Sequence, residues 1–336
     1  MSRKDYIGIA PQDAFGTPAT TLAYFPPVTS ADIGPSQELM EIDETTGTRF
    51  PDGLEFGKQD VGGSIEGAAR PSSFGLILAS FFGAPTTTQP GGAGHDDVYQ
   101  HAYDPVANEP VALTMTPVNA DPTVAIVREL QDCIGDSLSI SISPGDYLMY
   151  NASFLGTSSD ITVEAPTSDL DDGRKWPFHK VTVEMVAAGA TYAECAVGEL
   201  DITYGNGLDG DNYKLGSRTR YDIDLGNASC EVSFLALDDE ADHFAAALAE
   251  APDDYKLRFT AEGEDIDVDG TYQYALVFEV PRLQYRTAPA AVSASATMKG
   301  IQVSMTAALD SATDKFVSIV LTNTEDGSDY RPASIS

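Results

Sequence analysis

The chain has 336 residues, with 52 Asp and Glu against 19 Lys and Arg, which gives a formal net charge of −33. This excess of acid excludes a protein that holds nucleic acid by neutralising its phosphates, because such a surface repels a polyanion. An apolar share of 42% and a length above that of one ordinary domain predict a folded chain with two cores rather than a disordered one.

The acidity has two explanations, and the sequence leaves both open. One is a surface that must not adhere to polyanions. The other is adaptation to molar salt, where a screening length of about 3 Å tolerates self-repulsion. Three cysteines and an N-terminus without an apolar signal core predict synthesis in a reducing cytoplasm. No apolar run has the length of a membrane span, so no membrane partner is expected.

The first half is predicted to begin with an alternating strand, Met40-Glu41-Ile42-Asp43, and to continue with a Gly-rich strand at 61–66. A helix follows from Pro71 to Phe82, and Gly83 ends it. Residues 137–143 then alternate Ser with Leu or Ile, which predicts a strand with one polar face. The turn at 144–146 returns the chain as a closing hairpin.

The second half repeats this order of signals at an offset of about 160 residues. We therefore predict two copies of one domain, residues 1–170 and residues 171–336, joined in the polar stretch at 165–173. Two unrelated β-rich domains of similar length are the alternative. The matching elements are strands at 200–203 and 227–232, a helix over 238–252, and a closing hairpin formed by 301–306 and 316–321 that turns near Ala312.

Sheets with one polar face are antiparallel sheets, so the predicted fold is mainly β. Two tandem β-sandwich or half-barrel domains, each with one flanking α-helix, account for the pattern. Taken alone, the polar faces have the composition of ordinary solvated sheet faces. The residues predicted to lie on them are Glu41 and Asp43 in the first copy, and Glu199, Asp201, Thr203, Asp222 and Asp224 in the second.

The chain lacks the motifs of an enzyme. Its four histidines have no H-E-x-x-H spacing, and no G-x-S-x-G elbow is present. Asp265, Asp267 and Asp269 match the first half of a calcium loop, but Leu276 stands where a bidentate Glu is needed. We therefore predict no catalytic residues and no cofactor, with a structural cation at these three aspartates as the less favoured alternative to an acidic turn.

Several segments of the first copy resemble the major tail tube proteins of long-tailed, non-contractile (siphovirus-type) double-stranded DNA viruses. The acidity agrees with a halophilic host for such a virus. The matching patterns are loose and cover most of the first copy. The second copy matches only in the order of its elements. They are Tyr6-Ile7-Gly8-Ile9-Ala10, Ala14-Phe15-Gly16-Thr17-Pro18, Gly62-Gly63-Ser64-Ile65-Glu66-Gly67 before the helix, Tyr99-Gln100-His101, and the hairpin at 137–156.

The resemblance implies a β-sandwich or half-barrel with a flanking helix, six of which close into a ring around one continuous barrel. Because this chain holds two copies, three chains would form the pseudo-hexameric ring, and stacked rings would form a tube for genome delivery. The polar-face residues above would then line the lumen, through which DNA passes without specific binding. The expected partners are the chain itself and other tail proteins at the tube ends.

The expected location is the virion tail, with assembly in the host cytoplasm. Residues 1–24, 45–56 and 329–336 are candidates for contacts between rings, because exposed ends often become ordered on assembly. The alternative function is a β-rich surface or adhesin-type binding module, which has the same strand content and acidic turns. The two hypotheses differ in assembly, because a tube subunit polymerises into rods and a binding module stays a small oligomer.

Overall fold

The computed structural model describes residues 5–41, 54–90, 95–119, 125–162, 165–187, 191–237, 254–267, 270–287 and 301–332. Within these ranges the chain forms one α-helix, α1 (Ser73–Phe82), and short 3-10 turns at Phe178–Lys180 and Ser328–Tyr330. The strands are β1 (Tyr6–Pro11), β2 (Val28–Glu41), β3 (Leu54–Ala68), β4 (Thr86–Thr88), β5 (Tyr99–Tyr103), β6 (Leu113–Asn119), β7 (Ile126–Ile142), β8 (Met149–Gly156), β9 (Ser158–Thr162), β10 (Val181–Ala187), β11 (Ala193–Glu194), β12 (Val197–Gly205), β13 (Ser229–Ala236), β14 (Tyr255–Asp265), β15 (Gln273–Thr287), β16 (Ile301–Ala307) and β17 (Ser318–Asn323).

The predicted mainly β fold is confirmed, and all the paired strands are antiparallel. In the first half, β2 pairs with β3, β3 with β8, and β8 with β7. The long strand β7 belongs to two layers. Its residues 134–141 pair with β8, whereas residues 126–133 pair with β6 and β9, and β6 pairs in turn with β1. A strand that bends from one layer into the other gives the half-barrel its curvature.

The second half repeats this pairing scheme strand for strand. Here β12 pairs with β13, β13 with β16, and β16 with β15, and the start of β15 pairs with β14 and β17. β14 pairs with β10, as β6 does with β1. Even the irregularities correspond, because the register shifts between Leu113 and Met115 in β6 and between Tyr255 and Leu257 in β14. The repeated pairing is consistent with two tandem copies of one domain.

One predicted equivalence is wrong. The hairpin of β7 and β8 turns at Gly145 as expected, with a φ of 98° that favours glycine. The predicted second hairpin does not form, because β16 and β17 lie along different parts of β15 and, in the described part of the chain, do not pair with each other. The counterpart of the β7–β8 hairpin is instead the pair of β15 and β16. Alternation identifies a strand and its two faces, but it carries no information about the partner strand.

Helix α1 starts and ends as predicted, but all ten of its residues are buried. Phe82 packs on Tyr204 of the second half, with ring centroids 4.4 Å apart, and on Phe278 at 6.4 Å. The helix therefore fills a core that both halves share, and the buried apolar residues form one continuous cluster. The helix predicted for the second copy at 238–252 lies outside the described residues.

The segment between the halves caps this helix. The Asp171 carboxylate accepts a hydrogen bond of 3.0 Å from the Ser73 N–H, which is one of the unsatisfied donors of the first turn. An acidic group here also interacts favourably with the positive end of the helix dipole. The proposed linker at 165–173 is therefore a structural part of the junction.

A polar cluster joins the two halves beside this core. The buried His101 of β5 donates from Nε2 to Asn323 Oδ1 of β17 at 2.9 Å, and Thr87 Oγ1 donates to its Nδ1 at 2.9 Å. Asn323 Nδ2 in turn donates to the carbonyl of Pro71 at 2.8 Å. Burial lowers the pKa of His101 below its ordinary value of 6.5, so the folded state holds a neutral ring.

We expect Phe82→Ala to lower the free energy of unfolding by about 3–5 kcal/mol, the usual cost of removing a fully buried aromatic ring. Because Phe82 contacts both halves, the chain should unfold in a single urea transition, and the substitution should shift that whole transition to a lower urea concentration. Ile161→Ala is the matched control, since Ile161 is 78% exposed. Two separate transitions, with one unaffected, would contradict a shared core.

We expect stability to fall with pH below about 6.5, because the unfolded chain then takes up a proton that folded His101 resists. The contribution is fully present above pH 6.5 and is lost as the pH falls from there towards the lowered pKa of the folded state. Between pH 7.5 and pH 5.5, the free energy of unfolding measured in urea should fall less for His101→Gln than for the unmodified chain. The exposed His179, changed to Gln, should leave the pH dependence unaltered.

Candidate functional site

A continuous polar surface in the described ranges is one face of an eight-stranded antiparallel sheet, which we call the inner sheet. Its order is β2-β3-β8-β7-β12-β13-β16-β15, with four strands from each half. The halves meet where β7 pairs with β12, through Ile140 opposite Ile202 and Ser139 opposite Thr203. A sheet that is continuous across both halves gives the site its extent.

The two faces of the inner sheet differ sharply. Leu138 and Ile140 of β7, Ile202 of β12 and Val232 of β13 are buried in the core that contains α1. The intervening side chains point to the opposite face, which we call the polar face. Read across the paired strands, this face carries Ser30, Asp32, Ser64, Glu66, Asn151, Ser153, Ser137, Ser139, Ser141, Asp201, Thr203, Ser229, Glu231, Ser233, Ser304, Thr306 and Gln284.

Hydrogen bonds to neutral groups hold several of the carboxylates on this face. Asp201 accepts from Ser139 Oγ at 3.1 Å and from Thr203 Oγ1 at 3.0 Å. Glu66 accepts from Asn151 Nδ2 at 2.7 Å. Neutral donors fix the carboxylates in place without cancelling their charge, so these positions keep the face negative.

Cations contact the polar face near its margins. Arg286 of β15 forms an ion pair with Glu231, and Arg220 forms one with Asp60 of β3 at 2.7 Å. The middle of the face is built from serine, threonine and asparagine with acidic groups between them. Such a surface offers a polyanion hydroxyl and carboxylate oxygens, which do not neutralise phosphates.

Three of the predicted polar-face residues lie together on β12. Asp201 and Thr203 alternate with the buried Leu200 and Ile202, and Glu199, two residues before Asp201, is exposed. Sequence reasoning missed the equivalent residues of the neighbouring strands, such as Glu66 and Glu231. The same signal was present there, because each carboxylate stands beside a buried apolar residue in an alternating run.

Glu41 is the last residue of β2 and pairs with Leu54. Val61 is the first residue of β3 that pairs with β8. Residues 54–60 of β3 pair only with residues 36–41 of β2, and we call this two-stranded extension the hairpin arm. Glu41 therefore lies beyond the edge of the eight-stranded sheet. Asp43 lies outside the described residues.

The prediction that Asp222 and Asp224 lie on the polar face of a sheet is wrong, because the alternating run at 221–225 does not form a strand. Residues 206–228 form a loop in which Asp224 makes an isolated bridge to Asp209. On this loop Asp224 is exposed and Asp222 is half-buried. The run resembles a strand locally, but hydrogen bonds from the loop to the other half of the chain determine its path.

The candidate cation site is only partly described, because Asp269 lies outside the described residues. Asp267 Oδ2 lies 2.7 Å from His95 Nδ1, and its Oδ1 accepts from the Tyr272 N–H at 3.0 Å. Asp265 accepts from Gln273 Nε2 at 2.9 Å. In the described part of the chain no three His, Cys, Asp or Glu side chains come together as metal ligands. A cation here stays a prediction.

The two buried thiols, those of Cys133 and Cys230, are poorly suited to nucleophilic chemistry. Cys230 is buried in β13, and burial raises its pKa to about 12. Burial likewise raises the pKa of Cys133. A buried thiol of this kind stays protonated near neutral pH and is inert.

The mainly β fold is now compared with those of known proteins. A family model described as phage tail tube protein matches residues 2–307. The chain therefore belongs to the phage tail tube protein family, as the sequence resemblance implied. A comparison with curated proteins gives no match. In the described ranges, no helix has both the length and the apolarity required to traverse a bilayer.

Proposed function

We propose that this chain forms trimeric, pseudo-hexameric rings that stack into the tail tube through which the viral genome is delivered. Family membership supports a structural tail tube subunit. The observation that carries the finer proposal is the repeated strand pairing, because each chain then contributes two equivalent domains, residues 1–170 and 171–336.

The junction inside the chain supplies a model for the junction between chains. At the internal junction, β7 of the first domain pairs with β12 of the second. The counterpart of β7 is β15, and the counterpart of β12 is β2. These two strands are the outermost members of the inner sheet. We infer that β15 of one chain pairs with β2 of the next, so that three chains close one barrel and leave no free edge.

In such a ring the polar face lines the bore, because the apolar face is already covered by α1 and the outer strands. Asp201, Glu66 and their neighbours then face the passing duplex. DNA carries one charge per roughly 1.7 Å, and an acidic, hydroxyl-rich wall lets it slide without adsorbing. DNA is thus a transient passenger rather than a bound ligand.

The remaining partners follow from this role. They are further copies of the chain and the other tail proteins at the ends of the tube, with assembly in the host cytoplasm and a final location in the virion tail. A formal charge of −33 per chain opposes assembly in dilute salt, and screening over about 3 Å at molar salt relieves this repulsion. The acidity therefore fits a halophilic host.

We expect the purified chain to form rods of uniform width with a central channel, most readily in molar salt. Negative-stain microscopy with class averages of end views measures the rods, and native mass measurement of disassembled rings counts the chains. Rings of six chains would contradict the proposed trimer but not the proposed tube. A small oligomer that never polymerises would favour the alternative of a surface-binding module.

We expect Glu66→Lys with Asp201→Lys to leave rod formation intact but to slow DNA release from assembled virions, because both positions lie on the polar face. The readout is the rate of DNA release after triggering. Asp97→Lys with Glu109→Lys makes the same change of charge at exposed positions off this face and should release DNA normally. Equal release rates in the two double variants would show that the polar face does not line the bore.

A further inference from the structure

A cleft of about 380 Å³ opens between the outer strands of the first half and β2, the outermost strand of the inner sheet. We call it the edge cleft. Ile126 and Arg128 of β7 form part of its outer wall, and Ile161 of β9 lies opposite Arg128. The two isoleucines are 50% and 78% exposed. Large apolar side chains exposed beside an open cleft indicate a surface that another protein covers.

The strand pairing of the second half gives the counterparts of these three residues. Counting along β7 and β15 from the register shift that β6 and β14 share fixes the correspondence. The counterparts are Leu276 for Ile126, Phe278 for Arg128 and, in the strand opposite, Ile319 for Ile161. All three counterparts are fully buried. The same surface is therefore covered in the second half and open in the first.

Helix α1 covers this surface in the second half. The Phe82 ring lies between the two walls, with its centroid 6.4 Å from that of Phe278 in the outer wall and 4.4 Å from that of Tyr204 in β12. Ile319 pairs with Tyr103 of β5, which follows the helix in the chain. The first half thus pairs its β7 with β12 and also inserts its helix behind β12.

The junction between chains has the same parts. In the proposed ring, β15 of one chain pairs with β2 of the next. The counterpart of α1 in the second half is the segment 238–252, which the sequence predicts as a helix and which lies outside the described residues. We infer that the edge cleft receives residues 238–252 of a second copy in the same ring. This inference rests on the proposed ring and names the element that fills the space behind its β2–β15 junction.

The charges of the two segments match the two clefts. Helix α1 contains no charged residue, and it faces Phe278. Residues 238–252 contain five carboxylates and no Lys or Arg, and the residue in the place of Phe278 is the exposed Arg128. In the described ranges Arg128 forms no ion pair. A Cβ at Gly34 of β2 would stand 3.4 Å from its Nη1, so the guanidinium reaches across the cleft. It can therefore pair with a carboxylate that enters.

A chain cannot fill its own edge cleft with this segment. Residues 238–252 follow β13, which is five strands away from β2 in the inner sheet. At about 4.8 Å per strand the separation is roughly 24 Å, and the buried α1 occupies the core between them. The occupant must therefore come from the neighbouring chain whose β15 meets β2.

Cross-linking identifies the occupant. Rods are assembled from equal amounts of 14N-labelled and 15N-labelled chain that carry a photoreactive benzophenone side chain at position 161. Irradiation should cross-link this position to residues 238–252 of a different chain, as measured by mass spectrometry of the peptides. The same group at position 215, where Leu215 is fully exposed on the 206–228 loop, is the matched control and should give no cross-link to this segment. Intact rods in which position 161 cross-links elsewhere, only within one chain, or not at all would overturn the inference.

Charge reversal tests the role of Arg128. Under conditions in which the unmodified chain assembles, Arg128→Glu should abolish rings and leave single folded chains, as measured by native mass and circular dichroism. Lys175→Glu makes the same change of charge outside the edge cleft and should form rings normally. A normal yield of rings from Arg128→Glu would contradict the inference.

Failure of the edge cleft and failure of the proposed function give different results. An unmodified chain that never forms rings contradicts the proposed function itself, whereas rings that form without the cross-link from position 161 contradict only the contact in the edge cleft. If Arg128→Glu misfolds, Arg128→Gln replaces it and should weaken ring formation in the same direction. An unchanged yield of rings from Arg128→Gln would then count against the inference.

Discussion

The edge-to-edge pairing of β7 with β12 is the interaction on which the rest of the structure depends. It turns two four-stranded sheets into one, so both halves share a polar face and a core. It also removes two strand edges that would otherwise be free to pair indiscriminately. Because the two halves repeat one pairing scheme, the edges left at β2 and β15 are counterparts of the two that meet inside the chain. The internal junction is thus the physical argument for ring closure.

Helix α1 makes this junction rigid. A helix buried on every side must find apolar neighbours all round, and Phe82 finds them in the second half at Tyr204 and Phe278. The fit is close enough to require glycine, since a Cβ at Gly135 would stand 2.6 Å from the Phe81 ring. Close packing of this kind fixes the relative position of the two sheets, and a fixed position is necessary if their edges are to meet other chains in register.

Local patterns in the sequence predicted helix α1, several strands, including parts of β3, β7, β12 and β13, and the sides to which their residues point. They did not predict β14 or β15. Alternation in Leu200 to Thr203 put Asp201 and Thr203 on the polar face, and the same pattern would have found Glu231. Local patterns could not predict which strands pair with each other. Nothing local distinguishes β17 as a partner of β15 rather than of β16, and the run at 221–225 alternates like a strand although its neighbours hold it as a loop.

A strongly acidic tail tube subunit must still assemble with its neighbours, although its net charge opposes assembly. Chains of −33 repel one another, and at 0.15 M salt the repulsion acts over about 8 Å. Attraction is therefore needed only at surfaces in direct contact. Several of its cations pair with carboxylates of the same chain, as Arg220 does with Asp60 and Arg286 with Glu231. In the proposed ring, attraction between chains therefore comes from strand pairing at the edges of β2 and β15, a short-range contact that does not require the chain to give up its net negative charge.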